Sequence, residues 1–122
     1  MEDCVFCKII KGDIPSYKIY EDDFVYAFLD INPSSPGHTL VVPKKHSENI
    51  FDIEKDDLKQ VIFASKEIAQ KMRDLGCAGV NIYNNNGAVS GQIVFHFHIH
   101  IVPRDMTADS FENIASRLKI EK

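Results

Sequence analysis

Three histidines alternate with apolar residues in one segment of the chain, which reads Phe95-His96-Phe97-His98-Ile99-His100-Ile101-Val102. In a β-strand, alternate side chains point to opposite faces, so this pattern predicts three imidazoles on one face at spacings of roughly 6–7 Å. The apolar residues that alternate with them, Phe95, Phe97, Ile99 and Ile101, then face a core. Buried imidazoles are costly without partners, so the segment predicts a chemical site.

Three interpretations of this histidine face are open. It can be a polar sheet face that happens to use histidine. It can be a metal site, built from a pair such as His96 and His98 with a further ligand. It can also be a nucleophilic site, because a neutral imidazole attacks phosphorus near pH 7 and leaves again once protonated.

The cysteines indicate a second candidate site, one that could bind a metal ion. Cys4 and Cys7 have the two-residue gap of a zinc knuckle, and two histidines would complete a four-coordinate site. The alternative is a pair of free thiols on a small helix. The chain has three cysteines, an odd number, which argues against a disulfide framework. Cys77 is interpreted as a small buried hydrophobic residue.

The composition of the chain limits the classes of function that we expect for it. With 122 residues, 44% of them apolar and 26% charged, the chain has the size and composition of one ordinary globular domain. The net charge of −4 and the lack of a basic block predict no binding to nucleic acid polymers. No apolar run is long enough for a membrane span, and the N-terminal residues do not look like a secretory signal. We therefore expect a cytoplasmic protein without a membrane partner.

Apolar periodicity predicts the elements that carry these residues. The pattern is that of an α+β fold, an antiparallel sheet of about five strands with one long and one short helix. A single long helix is too few crossovers for parallel βαβ repeats. Asp3 is the expected cap of a first short helix, and the tail allows one more. Strands are predicted over 17–21, 24–30, 38–43, 80–83 and 93–102, and helices over 4–11, 54–75 and 110–119.

These motifs, taken in order, resemble the histidine triad (HIT) family of nucleotide hydrolases and transferases, in its bacterial Hint-like branch. The resemblance covers roughly residues 4–104, and the tail 105–122 does not share it. It implies a HIT-like fold, a single domain over 1–122 and a homodimer. Besides the histidine segment, it rests on Cys4-Val5-Phe6-Cys7-Lys8-Ile9-Ile10, Phe28-Leu29-Asp30-Ile31, Gly37-His38-Thr39-Leu40-Val41-Val42-Pro43-Lys44-Lys45-His46 and Gly91-Gln92.

The resemblance implies a covalent mechanism. His98 corresponds to the nucleophile that attacks the α-phosphorus of a nucleoside 5′-phosphoryl substrate and forms a nucleotidyl-imidazole, which water then hydrolyses. His100 corresponds to a proton or hydrogen-bond donor to the phosphate, and His38 to a histidine that orients the nucleophile. No cofactor is required for this phosphoryl chemistry.

The resemblance also implies a purine nucleotide site. Asp30 corresponds to the carboxylate that accepts hydrogen bonds from the ribose hydroxyls. Asn85, Gly91 and Gln92 correspond to positions near the phosphate and leaving group. The expected nucleobase slot is apolar and consists of Phe6, Ile9, Ile14, Phe28 and Ile31.

A structural zinc ion is a further implication. In many members of this branch, two cysteines, a histidine after a proline-lysine segment and the first histidine of the triad bind zinc. The corresponding residues here are Cys4, Cys7, His46 and His96. Such a site would tie the first helix to the histidine segment and leave His98 free for chemistry.

One position departs from the family pattern. Ile93 follows Gln92 where a serine or threonine usually helps to bind the phosphate or leaving group, so one side-chain donor is lost; Ser90 is a candidate replacement. The expected function is hydrolysis of purine nucleoside phosphoramidates or adenylylated compounds to AMP. The alternatives are a dinucleoside polyphosphate hydrolase on the same residues, a catalytically weak nucleotide-binding or scaffold protein, and a histidine-ligated metallohydrolase.

Overall fold

The structure is a computed structural model that describes residues 3–121 of the chain. The strands are β1 Lys18–Glu21, β2 Val25–Leu29, β3 Thr39–Pro43, β4 Gly79–Tyr83 and β5 Ile99–Arg104. The helices are α1 Val5–Lys11, α2 Lys55–Asp74 and α3 Phe111–Leu118. The strands form one sheet in the order β1-β2-β3-β5-β4, and every neighbouring pair is antiparallel.

The predicted α+β class and the antiparallel sheet are confirmed. The structure has one long helix and two short ones, so the tail segment adds a second short helix. Strands β1 to β4 and helices α2 and α3 lie within one or two residues of their predicted bounds. No helix in residues 3–121 combines the length and the apolarity that crossing a bilayer requires.

Helices cover the sheet on both faces, so the central strands are buried on both sides. Residues that alternate along β2 show this division, since Val25, Ala27 and Leu29 pack toward α2 and α3, and Tyr26 and Phe28 pack toward α1. The second, smaller apolar cluster is the one that lies beside the histidines. Its buried members are Phe6, Ile9, Tyr26, Phe28, Leu40 and Val42.

The predicted strand over 93–102 is wrong at both ends. β5 begins only at Ile99, opposite Val41 of β3, because the residues before it leave the ladder: the Phe97 N–H bonds to the carbonyl of Ser47, which lies beyond the end of β3. Pro103 does not end the strand but lies within it. Pairing of β5 with β3 ends at Ile101, whereas pairing with β4 continues, with Pro103 opposite Val80. The side of Pro103 toward β3 is therefore unpaired, and its missing N–H can face that side.

Two further expectations near the site need correction. Phe95 is 44% exposed and does not enter the core, whereas Phe97, Ile99 and Ile101 do. The cap of α1 is Cys4 and not Asp3, since the Cys4 Sγ accepts a hydrogen bond from the Cys7 N–H. The alternation of the histidine segment therefore holds from His96 onward, although the first part of that segment is not a strand.

Candidate active site and metal centre

The His98 side chain is buried and held in one tautomer. Its Nδ1 lies 2.7 Å from the backbone carbonyl oxygen of His96. A carbonyl oxygen can only accept, so Nδ1 carries the proton and Nε2 keeps its lone pair. Burial lowers the pKa of His98 below the usual histidine range, which keeps the ring neutral at pH 7. His98 thus presents a neutral, nucleophilic Nε2.

His38 and His100 form a chain of two oriented imidazoles. The backbone N–H of Ser34 donates to Nδ1 of His38 at 3.0 Å, so the proton of His38 is on Nε2. That Nε2 lies 3.0 Å from Nδ1 of His100 and donates to it. The remaining proton of His100 is therefore on its own Nε2, where it can be donated to a ligand. The ring centroids of His98 and His100 are 4.8 Å apart, so the candidate nucleophile and the candidate donor are on neighbouring rings.

Burial sets the charge of both histidines. It lowers the pKa of His100 to about 4, with smaller contributions from His98 and His38. It also lowers the pKa of His38, against the opposing effect of the Asp30 carboxylate. Tyr83 stacks on the His100 ring at 4.4 Å and fixes its plane. Sequence reasoning missed this contact, since Tyr83 looked like an ordinary strand residue.

Asp30 lies directly after β2, at the edge of the histidine cluster. Its Oδ1 accepts from the backbone N–H of Asn32 at 2.9 Å, which makes it a turn residue as well. Its Oδ2 lies 3.7 Å from Nε2 of His38, beyond hydrogen-bond distance. One carboxylate oxygen is thus engaged in the turn, and the other lies beside the His38 imidazole.

Most of the predicted base slot comes together in the structure. Phe6, Ile9, Phe28 and the partly buried Ile14 belong to the apolar cluster on the α1 side. Phe6 meets the His98 ring edge-on at 5.1 Å, which places this cluster against the candidate nucleophile. Ile31 stands apart, because it is 68% exposed in the loop after β2.

The loop before the histidines is built by side-chain amides. Gln92 is buried, and its Oε1 accepts from the Gly87 N–H while its Nε2 donates to the carbonyls of Glu48 and Val94. The Gln92 amide is therefore committed to loop structure in this conformation. Gly91 has a φ of +94°, and the Asn85 carboxamide lies against it, 3.5 Å from the position a Cβ would take.

Sequence reasoning also missed Asn84 and Asn86, which flank Asn85. Asn84 Nδ2 donates to the backbone carbonyl of His98 at 2.9 Å. Asn86 Nδ2 donates in turn to Asn84 Oδ1. The run of three asparagines was the only signal, and it indicated nothing more specific than a polar loop. Ile93, the position that departs from the family pattern, is 89% exposed, and Ser90 lies in a short 3-10 turn over Ala88–Ser90.

The four predicted zinc ligands converge from three parts of the fold: α1, the segment after β3 and the segment before β5. The Cys4 Sγ and the His96 Nδ1 are 3.3 Å apart, the Cys7 Sγ and the His46 Nδ1 are 3.4 Å apart, and the two Nδ1 atoms are 3.2 Å apart. Tetrahedral zinc with two sulfur and two nitrogen ligands needs separations of about 3.3–3.8 Å between donor atoms.

His96 is oriented for this role. Its Nε2 lies 2.7 Å from the carbonyl oxygen of Pro43 and donates to it, so the lone pair of Nδ1 points at the cysteines. The residues present therefore fit a Cys2His2 zinc site.

A second group of possible ligands fits a metal poorly. Asp30, His38 and His100 bring donor atoms within 4.8 Å of one another. The Ser34 N–H occupies Nδ1 of His38, however, so Nε2 carries a proton and has no lone pair for a metal. This geometry argues against the histidine-ligated metallohydrolase.

Comparisons with known proteins assign the family. The HIT domain profile matches residues 11–107. The protein hit of Bacillus subtilis is 51% identical over 111 residues, which are 90% of this chain and 77% of that protein. The adenosine 5′-monophosphoramidase HNT1 of Saccharomyces cerevisiae is 41% identical over 101 residues, or 83% of this chain and 62% of that protein. The crystal structure of a zinc-bound histidine triad family protein from Mycobacterium smegmatis superposes with a TM-score of 0.90 at 35% identity, covering 97% of this chain and 91% of that one. This chain is therefore a member of the HIT family.

Proposed function

We propose that the protein is a nucleotide hydrolase that cleaves purine nucleoside 5′-phosphoramidates or related adenylylated compounds to AMP. The observation that carries this proposal is the tautomer of His98, whose Nδ1–H bond to the His96 carbonyl leaves a buried, neutral Nε2 on a ring that neighbours the His100 imidazole. The similarity to a yeast adenosine 5′-monophosphoramidase supports the same reaction class.

The reaction proceeds in two displacements. Nε2 of His98 attacks the α-phosphorus and forms a P–N bond, while the bond from phosphorus to the leaving amine breaks and the amine takes a proton from solvent. Water then attacks phosphorus, breaks the P–Nε2 bond and releases AMP, a proton and free His98. Throughout, Nε2–H of His100 donates to a phosphoryl oxygen.

Binding of the nucleoside rests on two neighbouring features. The free Oδ2 of Asp30 would accept from the ribose hydroxyls. The apolar cluster around Phe6 and Phe28 would take the purine, with the edge of Phe6 packed on His98 to bring base and nucleophile together.

The amine leaving group is preferred over a polyphosphate for an electrostatic reason. The segment between β4 and β5, residues 84–98, contains no lysine or arginine. A leaving nucleoside polyphosphate would carry several negative charges, and cationic side chains normally stabilise such charge.

We also propose that Cys4, Cys7, His46 and His96 hold a zinc ion with a structural role. The ion would cross-link α1 to the segments that follow β3 and precede β5. It would supply no chemistry at phosphorus, because the lone pairs that bind it belong to other nitrogen and sulfur atoms than Nε2 of His98.

A homodimer is the third element of the proposal. β4 is an edge strand, and Ile82 on it is 49% exposed. Ile82 pairs with the buried Ile101, so the two side chains lie on the same face of the sheet, the face that α2 covers. Phe63 of α2 is 63% exposed on that side. An unpaired edge flanked by apolar side chains suits a symmetric contact with a second copy.

Turnover of adenosine 5′-phosphoramidate tests the proposed activity. Wild-type protein and the His98→Ala variant are incubated with the compound, and released AMP is followed by chromatography. We expect wild-type turnover and no activity above background in the folded variant. Equal rates for the two proteins would contradict the role of His98, and diadenosine polyphosphates in the same assay test the alternative substrate.

A further inference from the structure

The nucleophile lies just outside the regular sheet. Pairing between β4 and β5 ends with Tyr83 opposite His100, so the backbone of His98 lies beyond the last ladder pair. Residues 92–98 form no strand. The Phe97 N–H does bond to the Ser47 carbonyl at 2.8 Å, but the carbonyl of His98 needs a donor from elsewhere.

Asn84 supplies that donor. It is the first residue after β4, and its Nδ2 donates to the His98 carbonyl oxygen at 2.9 Å. A side-chain amide thus takes the place of the next ladder bond. His98 is consequently held at two points, at its ring by the His96 carbonyl and at its backbone by Asn84.

The Asn84 amide is itself oriented by a second amide. Asn86 Nδ2 donates to Asn84 Oδ1 at 2.5 Å, and Asn86 Oδ1 accepts from the Ile50 N–H at 2.7 Å. Because Oδ1 of Asn84 already accepts, its Nδ2 must face His98. The chain of bonds therefore runs from the loop around Ile50 through two asparagines to the nucleophile.

We propose that Asn84 is a positioning residue for the reaction and that Asn86 acts through it. This inference rests on the proposed function, in which His98 is the nucleophile. Attack at phosphorus needs Nε2 in line with the leaving group at about 3–3.5 Å, and small displacements of the ring are costly. Asn84 donates to the backbone carbonyl of His98 and not to its imidazole, so its contribution is to the placement of Nε2.

Two substitutions separate the hydrogen bond from packing. Asn84→Ala removes the amide, and Asn84→Asp keeps its size but replaces the donor with a carboxylate. We expect both to lower kcat by about 10- to 100-fold, the range for lost support of a reacting group. KM should stay within about twofold, because the hydrogen bonds of the Asn84 amide go to the His98 backbone and to Asn86, and the proposed nucleotide contacts belong to other residues. Asn113→Ala removes an exposed asparagine amide on α3 and is the matched control.

Melting curves of every variant establish that the assayed protein is folded. A folded Asn84→Ala and Asn84→Asp pair with kcat within twofold of wild type would overturn the proposal. A loss that appears only in KM would overturn it too, since that pattern belongs to ligand binding.

A double-mutant cycle tests the relay. Asn86→Ala alone should lower kcat by several-fold, because Asn84 would lose its orientation but keep its donor. Adding Asn86→Ala to Asn84→Ala should cost nothing further. Multiplicative losses would contradict the action of Asn86 through Asn84.

A spectroscopic measurement keeps the test independent of activity. In 15N-histidine-labelled protein at fixed pH, the His98 imidazole should show one Nδ1-protonated form in wild type and in Asn113→Ala. We expect a second or broadened set of signals in Asn84→Ala. If wild type shows no turnover but these spectra differ, the proposed function fails and positioning stands; if the spectra are identical, positioning is overturned.

Discussion

In His38, His96, His98 and His100, a hydrogen bond at one ring nitrogen determines the state of the other. Carbonyl acceptors hold His96 and His98, and a backbone N–H holds His38, so His96 and His38 carry their proton on Nε2 and His98 carries its proton on Nδ1. One nitrogen is thereby made available to a metal, one to phosphorus and one as a donor. These roles follow from local backbone partners and do not require charged imidazoles.

Loss of the Asp30 carboxylate should weaken binding of ribose. We expect Asp30→Ala to raise KM about tenfold, equivalent to about 1.4 kcal/mol, with a smaller change in kcat. Steady-state kinetics with 2′-deoxyadenosine 5′-phosphoramidate is the matched comparison, since that compound already lacks one donor. Equal penalties of the variant on both substrates would show that Asp30 does not contact the 2′-hydroxyl.

Acid should destabilise the protein through its buried neutral histidines. The pKa of His100 is about 4 in the fold, and that of His38 is also lowered, whereas unfolded histidine titrates near about 6.5. Between these values the unfolded chain binds more protons. The contribution of these histidines to the free energy of unfolding is therefore complete above pH 6.5. It decreases as the pH is lowered further, by at most about 1.4 kcal/mol per pH unit for each histidine.

Urea unfolding at pH 7, 6 and 5 measures this slope. The His100→Asn variant should show a shallower decline than wild type over the same range. Identical slopes for the two proteins would contradict a buried, neutral His100.

Individual residue roles were only partly predictable. The histidine triad, Asp30 and the four proposed metal ligands are visible in the sequence because their types and spacing are unusual. The commitment of the Gln92 amide to three loop partners is not visible, because it depends on where Glu48 and Gly87 lie in space. Asn84 was hidden for the same reason, since its partner is fourteen residues away.

At the scale of secondary-structure elements, the histidine segment shows what an alternating sequence pattern cannot predict. Its alternation predicts a strand from residue 93, but regular pairing starts only at Ile99. An alternating pattern predicts which side of the chain each residue faces, and this alternation of sides is present from His96 onward. It does not report whether the backbone pairs with a neighbouring strand: β3 extends to Pro43, but its pairing with β5 starts only with Val41 opposite Ile99.

Removal of the proposed zinc ion should loosen three elements at once. We expect Cys7→Ser to lose zinc and to lower the free energy of unfolding by about 2 kcal/mol or more, or roughly 6–12 °C in Tm. Cys77→Ser is the control, because Cys77 is a buried cysteine that lies outside the cluster. Metal content by atomic emission and calorimetric Tm are the measurements.

A Cys7→Ser protein that retains stoichiometric zinc would contradict this ligand set. Loss of zinc with Tm unchanged would contradict the structural role.

For the whole molecule, the β4 edge is the place to test association. We expect Ile82→Glu to convert a dimer into a monomer, because it places a charge in the apolar contact. Phe24→Glu is the control, since Phe24 is similarly exposed, at 52%, but lies in the turn between β1 and β2. Sedimentation equilibrium gives the mass of each protein, and a dimeric Ile82→Glu protein would exclude this edge as the interface.

The architecture was more predictable than the site because it depends on averages over many residues. Apolar periodicity along 54–75 predicts α2, since a long amphipathic pattern has few other solutions. The strand order could not be read in the same way, because it requires β5 to lie between β3 and β4. That insertion brings His38 and His100 together, so the site depends on the least predictable part of the fold.

The covalent intermediate is the central claim, and it can be observed directly. Protein mixed with adenosine 5′-phosphoramidate is quenched within the first turnovers and analysed by intact and peptide mass spectrometry. The proposed mechanism predicts one adenylyl group per chain, mapped to His98 and absent from His98→Ala. Turnover without an adduct in wild type, or an adduct on another residue, would contradict nucleophilic attack by His98.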